Sequence, residues 1–423
     1  MPLIVDHPLR YALANELHAR PFPRVQCPSQ AAYLATKPDG LRDRAAERAH
    51  LINLLDRFGA AHPQPDATHY SGEIGRFTLK WESHTEFVTY TIFGDGLDDV
   101  AFSADAFSVF PEDWLAQIPG QRVTSALIRV ETAPQDTKVI AQAEKWFVPE
   151  SLAISRALGD ALIIAADFRI DPAGHMRMAI FARDDVGPQR IGRVIQRLCE
   201  IETYKAMAML GRTHAGEMSQ ELNEIDSKLT SLLGDMAGVD SDPASVLSQL
   251  LDVSVKVENM GVQSAYRFAA TGAYSQIVNQ RIEVLREDRF EGRQTFAEFM
   301  MRRFDPAMRT VESTERRLKV LSDRALRAGE LLRTKVDVER SAQNQELLTS
   351  MDKRADLQLR LQRTVEGLSV VAVSYYAVNL MIYLLGPIAL GFGISKTLLA
   401  AGVTPVVLLG VWQVLRRLQR HLD

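Results

Sequence analysis

The hydrophobic pattern of the chain changes its period near residue 189. Before that point, short segments alternate apolar and polar residues and are rich in Thr, Tyr, Phe and Val, as is typical of half-buried strands. These segments are residues 76–82, 86–93, 125–131, 161–170 and 175–182. Helical spacing covers residues 42–58 and 138–147. Residues 1–188 are therefore predicted to form an α+β domain with a mostly antiparallel sheet.

From residue 189 onward, the apolar residues recur at helical steps of three, four or seven. Residues 189–236 and 243–288 each predict a long helix. A third begins at Asp305 and continues through residues that contain no proline after Pro306 and few helix breakers until the membrane segment. Its part before residue 367, here called the stalk, would extend about 90 Å at 1.5 Å per residue. We predict a helical bundle and stalk over residues 189–366.

The narrow apolar stripe of the stalk must be covered by something. The two preceding helices of the same chain could form an antiparallel bundle with it. Copies from other subunits are the alternative, and the length of the stripe favours a homo-oligomer.

Two uncharged apolar stretches end the chain. No Asp, Glu, Lys or Arg occurs between Glu366 and Lys396, or between Lys396 and Arg416. Each stretch is long enough to cross the roughly 30 Å hydrocarbon core of a bilayer as a helix. We predict a first transmembrane helix in residues 367–395, and a second with a basic tail in residues 396–423. The alternative is a buried helical hairpin in a soluble core.

Flanking charge predicts the orientation of these spans. Arginines precede the first span and follow the second, whereas the loop between them carries only Lys396. The positive-inside rule places both chain ends in the cytoplasm and the loop outside. Residues 1–10 lack an apolar run of signal-peptide length, which agrees with a cytoplasmic N-terminus. The lipid bilayer is thus the first predicted partner.

Composition excludes some functions. The net charge of −4 argues against nucleic-acid binding through phosphate contacts, so we expect no nucleic-acid partner. Cys27 and Cys199 have no paired spacing and indicate a reducing compartment. The GxxxxGK[ST], GxGxxG, HExxH and GxSxG motifs do not occur. We therefore do not expect an enzyme, although a membrane-tethered enzyme that uses the histidines stays open as a third hypothesis.

Two polar clusters could carry chemistry. The first lies near the N-terminus and the second in residues 81–87, and their candidate residues are His7, Arg10, Glu16, His18 and Arg20, then Glu82, His84 and Glu86. In an alternating strand the last three would share one face. Imidazole and carboxylates could bind a divalent cation, or the arginines could help to bind an anion. The alternative is a solvated strand face with ordinary salt bridges.

Longer phrases in the chain resemble a known family. They are residues 7–10 with 16–21, 81–87, 193–204 and 358–376. These phrases resemble the bacterial membrane-anchored family catalogued as domain of unknown function 3422, over essentially the whole chain. The resemblance implies a multi-pass protein of the bacterial inner (plasma) membrane with cytoplasmic N- and C-termini, and it implies no activity.

A more distant likeness is architectural. An α/β domain, a stalk that enters the first of two spans, a short outer loop and a basic tail are similar to CorA-type magnesium channels, which are homopentamers. That family carries Gly-Met-Asn at the outer end of its first span, whereas this chain has Gly386-Pro387-Ile388. The polar residues of the first span could line a pore, and these are Ser374, Tyr375, Tyr376, Asn379 and Tyr383.

Two main functions follow from the sequence. The first is a membrane-anchored oligomeric scaffold or ligand sensor that faces the cytoplasm. The second is a CorA-like two-span cation channel or transporter. No carboxylate lies within either span, and hydroxyl groups are also common in helix packing inside membranes.

Overall fold

A computed structural model of the chain describes residues 4–11, 13–14, 22–65, 67–133, 135–237, 242–391 and 395–422. Contacts divide the chain into two compact units. The first unit comprises Met1–Ser241 with Ser248–Gly329, and the second comprises Asp242–Leu247 with Glu330–Asp423. The sequence suggests domain boundaries at residues 188, 366 and 395, where the predicted type of secondary structure changes. These boundaries stay predictions.

The first unit contains a sheet of nine strands within the described residues. The strands are β1 Ser29–Lys37, β2 His69–Ile74, β3 Phe77–Ser83, β4 Val88–Asp95, β5 Gln121–Thr132, β6 Ala153–Ala157, β7 Leu162–Ile170, β8 Met176–Ala182 and β9 Asp288–Arg289. Their spatial order is β2-β3-β4-β1-β5-β8-β7-β6-β9. Among the described pairings β5 and β8 are parallel and the others are antiparallel. Two three-stranded meanders thus flank the central β1–β5 pair.

Three short helices cover one face of the sheet. They are α1 Arg44–Arg57, α2 Glu112–Ala116 and α3 Asp136–Trp146. Helix α1 begins after Asp43, whose carboxylate accepts from the backbone N–H groups of Ala45 and Ala46 and so caps the first turn. Leu51 and Leu55 of α1 are fully buried against Trp81 of the sheet.

The pH dependence of stability depends partly on His50 of α1. Its ring stacks on Trp114 with centroids 4.0 Å apart, and its Nε2 is buried without a partner among the described residues. Burial and the charge of Arg57 lower the pKa of His50 to about 4. The folded-state pKa of His50 lies below its unfolded value of 6.5. Neutral His50 therefore contributes fully to the free energy of unfolding above pH 6.5, and this contribution is lost as the pH falls towards 4.

We expect the loss at His50 to be about 3 kcal/mol between these limits. The variant His50→Phe keeps a ring against Trp114 but cannot titrate. Thermal unfolding of both proteins at pH 7 and pH 4.5 should show a smaller acid-induced fall for the variant. An equal fall in the two proteins would contradict the assignment to His50.

Long helices follow the sheet. They are α4 Pro188–Ala237, α5 Pro243–Leu285 and α7 Asp305–Gly391, and the short helix α6 Phe296–Arg303 lies between α5 and α7 in the chain. Within the first unit α4 and α5 run antiparallel, since Arg281 pairs with Glu200 whereas Lys256 pairs with Glu221 at 2.9 Å. Gly211 of α4 lets the two helices pack closely, because a Cβ at this position would lie 2.0 Å from Thr271 Oγ1 of α5.

Helix α4 covers the second face of the sheet. Lys80 Nζ of β3 donates to Gln196 Oε1 at 2.8 Å, and Thr124 Oγ1 of β5 donates to Glu202 Oε1 at 3.1 Å. The sheet therefore lies between the short helices on one side and α4 on the other. An α+β region followed by long helices, as the sequence predicts, is confirmed.

In the second unit α7 continues to Gly391, and α8 Lys396–Leu422 follows. Residues 337–369 of α7 are all exposed. Beyond them, the segment of α7 that ends at Ala389 and the segment Lys396–Val414 of α8 are long and apolar enough to cross a membrane. An apolar cavity of about 600 Å³ between α7 and α8 is lined by Val373, Val407 and neighbouring residues.

Candidate functional site

The second predicted cluster lies where strand β3 turns into strand β4. Strand β3 ends at Ser83, and the N–H of His84 donates to the carbonyl of Phe87 at 2.9 Å. His84 and Glu86 thus belong to a tight turn. The strand alternation that would place Glu82, His84 and Glu86 on one face ends at Ser83; Glu82 and His84 line one cavity, whereas Glu86 pairs with residues of α5.

Two arginines hold this turn from opposite sides. Arg42 donates to the carbonyl of His84, to Ser83 Oγ at 2.7 Å and to both carboxylate oxygens of Glu47 in α1. From α5, Arg267 pairs with the carboxylate of Glu86 at 2.5 Å. We call residues 84–87 with these two arginines the clamped turn.

Tyr274 of α5 also contacts Glu86. Its hydroxyl donates to Glu86 Oε2 at 2.7 Å. Burial raises the pKa of Tyr274, and the adjacent carboxylate raises it further, so this hydroxyl stays protonated and continues to donate at neutral pH. The carboxylate of Glu86 is thus neutralised by a guanidinium and hydrogen-bonded by a phenol.

A small cavity with both polar and apolar lining residues lies between the sheet and α4. Lys80 pairs with Glu82 at 3.1 Å and both side chains are buried. Gln196 joins them to Glu200, to which it donates at 2.9 Å. The cavity encloses about 20 Å³, which is room for about one water molecule. Lys80 and Glu82 thus neutralise each other, and the hydrogen bonds of Gln196 connect this pair on the sheet to α4.

Cys199 and Tyr33 lie beside this cavity. Burial raises the pKa of the Cys199 thiol well above its usual value, and the same cause raises that of Tyr33. Tyr33 also shares a 2.5 Å hydrogen bond with Thr203 Oγ1. A thiol that stays protonated is a poor nucleophile, so Cys199 packs as a small apolar residue.

A larger cleft opens on the outer side of the clamped turn. It has a volume of about 460 Å³ and is lined by Arg44, Thr68, Ser83, His84, Thr85, Phe87, Tyr204, Tyr274 and Ile277. His84 stacks on Phe87 with ring centroids 4.4 Å apart and lines both this cleft and the small cavity. Aromatic faces, an imidazole and the guanidinium of Arg44 could hold a small planar or anionic ligand.

The N-terminal cluster is only partly described. His7 and Arg10 are exposed, and their contacts are local: His7 Nδ1 accepts from the N–H of Leu9, and Arg10 pairs with Asp6. Glu16, His18 and Arg20 lie outside the described residues. Within the described ranges, no group of three or more His, Cys, Asp or Glu is placed to hold a metal ion. Binding of a cation or an anion by residues of the two clusters stays a prediction.

The candidate pore residues lie on α7. Tyr375, Tyr376 and Tyr383 are exposed, and Asn379 is half-buried. Ser374 is buried, and its Oγ has no hydrogen-bond partner in the part of the chain that the structure describes.

Together these features define an α+β protein with a clamped polar turn, a long helical hairpin and two apolar C-terminal helices. The sequence profile of the family described as Protein of unknown function (DUF3422) matches residues 5–422. The chain belongs to that family. No curated protein matches it. These comparisons give no support to the likeness with CorA-type channels.

Proposed function

We propose that this protein is a membrane-anchored, homo-oligomeric scaffold whose α+β region faces the cytoplasm and senses a ligand at the cleft beside His84. The proposal rests chiefly on the exposed part of α7, residues 337–369. A long helix with large apolar side chains in water is costly unless another helix covers it.

The exposed apolar residues of this segment support association. Leu357, Leu361 and Val365 are 54–69% exposed and follow steps of four. Such steps place them along one side of the helix, as in a coiled-coil seam. A second copy of the same helix offers the same stripe and is the simplest partner.

Anchoring is supported by the two apolar helices and by the basic tail that follows the second. Reporter fusions after Asp423 and at Ser395 test the proposed orientation. The tail fusion should be cytoplasmic and the loop fusion periplasmic, with the protein retained in membranes after an alkaline carbonate wash. A periplasmic tail would overturn the orientation, and release by carbonate would indicate a soluble helical hairpin instead.

A cation channel or transporter is the second candidate function. It is favoured by Ser374, whose buried hydroxyl has no partner among the described residues of the single chain, and by the exposed tyrosines nearby. In an oligomer these groups could face a pore. Cation flux into vesicles that contain the purified protein, absent from empty vesicles, would favour this candidate over a scaffold.

A further inference from the structure

A second cleft lies far along the sequence from the clamped turn and is rich in arginine. It forms where the β6–β7 turn, the first turns of α4 and the end of α5 meet, and it has a volume of about 510 Å³. Its lining, here called the arginine cleft, comprises Leu158, Gly159, Arg190, Arg193, Arg197, Val284, Arg286 and Asp288. Four guanidinium groups thus share a cleft with a single lining carboxylate.

The positive charges of this cleft lack close ion-pair partners among the described residues. Within the described residues, none of its four arginines lies within 4.0 Å of a carboxylate. Neighbouring acids already have partners, since Asp160 pairs with two other arginines and Glu200 pairs with Arg281. Among the described residues, Arg197 donates a long hydrogen bond, 3.4 Å, to the carbonyl of Val284.

The sequence concentrates these charges on one side of a helix. Arg190, Arg193 and Arg197 follow steps of three and four, so their side chains project from one face of α4. Burial lowers the pKa of Arg197, and the guanidinium groups of Arg193 and Arg281 lower it further, by more than the carboxylate of Glu200 raises it. The positive end of the helix dipole adds to this repulsion near Arg190. A bound anion would offset the burial of the Arg197 charge, the repulsion between the guanidinium groups and the effect of the helix dipole.

The walls of the cleft are built from fixed elements. The N–H of Leu158 donates to the carbonyl of Leu285 at 2.9 Å, which ties the β6–β7 turn to the end of α5. Gly192 lets residues 22–25 cross the start of α4, because a Cβ there would lie 1.8 Å from the carbonyl oxygen of Pro23. This crossing places Phe22 against the guanidinium of Arg193, 5.1 Å from the ring centroid.

We propose that the arginine cleft binds a phosphate-bearing ligand. Planar guanidinium groups donate paired hydrogen bonds that match phosphate oxygens, and several of them around one cleft provide the charge that such a ligand requires. Asp288 could accept a hydrogen bond from a hydroxyl group of the ligand. This inference goes beyond the proposed scaffold, and its failure would leave anchoring and oligomerisation unaffected. The phosphate could belong to a soluble monoester or to an anionic lipid headgroup.

The test uses the full chain purified in a mild maltoside detergent. Isothermal titration calorimetry with inorganic phosphate, glycerol phosphate and dihexanoyl phosphatidylglycerol separates the possible sources, and zwitterionic dihexanoyl phosphatidylcholine is the lipid control. The double variant Arg193→Gln/Arg197→Gln removes two guanidinium groups from the cleft. The matched control Arg309→Gln/Arg327→Gln removes two exposed arginines of α7 and changes the net charge equally.

We expect at least one anionic probe to bind the wild type and the control. The cleft variant should bind it at least about tenfold more weakly for each arginine lost, as charge-assisted hydrogen bonds imply. Binding of inorganic phosphate or the monoester would identify a soluble ligand, and binding of phosphatidylglycerol alone would identify a headgroup. Absence of binding to the wild type, or equal weakening in both double variants, would overturn the proposal. Equal melting temperatures of the two variants confirm that the cleft variant is folded.

Discussion

Replacing Glu86 by Gln should destabilise the first unit by about 3 kcal/mol, since the substitution removes the charge partner of a mostly buried guanidinium. The side chains of Glu86 and Arg267 are only 7% and 17% exposed, so water compensates the remaining charge poorly. The turn would also lose the charged acceptor of the Tyr274 hydroxyl. Differential scanning fluorimetry should therefore show a melting temperature several degrees lower.

A matched control and a double variant test whether the lost charge partner of Arg267 causes the destabilisation. Glu315→Gln removes an exposed carboxylate from α7 and should leave the melting temperature nearly unchanged. In Glu86→Gln/Arg267→Met the orphaned guanidinium is also removed, so stability should recover in part. A melting temperature for Glu86→Gln equal to that of the Glu315 control would show that the clamp contributes little.

The second large effect concerns the exposed segment of α7. The double variant Leu357→Asp/Leu361→Asp would place two negative charges on the proposed seam. Burial of a leucine contributes about 1.5–3 kcal/mol, so the pair should weaken association by more than about a hundredfold per subunit. The particle mass in detergent should fall towards that of one chain.

Leu359 provides the control for this experiment. It lies two residues from both leucines, about 200° around the helix, so it faces away from their side. Leu359→Asp therefore makes the same chemical change at an exposed position of the same helix, and the oligomer should persist. If the Leu359 variant dissociates as readily as the double variant, the seam is assigned to the wrong face.

The sequence predicts the elements in which apolar and polar residues alternate or recur at helical spacing. Strands β3, β4, β5, β7 and β8 and the long helices lie within a few residues of their predicted bounds, because alternation or helical spacing marks each of them. Strands β1, β2 and β6 were missed. Strand β1 lies between β4 and β5, and its residues 31–35 form an unbroken apolar run with three alanines, which neither alternates nor favours a strand. Strand β9 comprises two residues, too few for any pattern.

The candidate site was only partly predictable, because residues that lie far apart in the sequence form it. Polar residues at 82–86 mark the turn, but Arg267, which neutralises Glu86, lies 181 residues further along the chain. Nothing local to α5 links the two, since only the packing of the long helices on the sheet brings them together. The arginine cleft has a visible local signal in the spacing of Arg190, Arg193 and Arg197, but its fourth arginine comes from the end of α5.

The central claim is that this chain works as a membrane-anchored homo-oligomer. Native mass spectrometry of the wild-type protein released from a mild detergent tests it most directly. We expect a particle whose mass is a whole multiple, two or greater, of the 47.2 kDa chain. A particle of 47.2 kDa alone, across detergents and protein concentrations, would contradict the account of the exposed α7 segment and of the scaffold built on it.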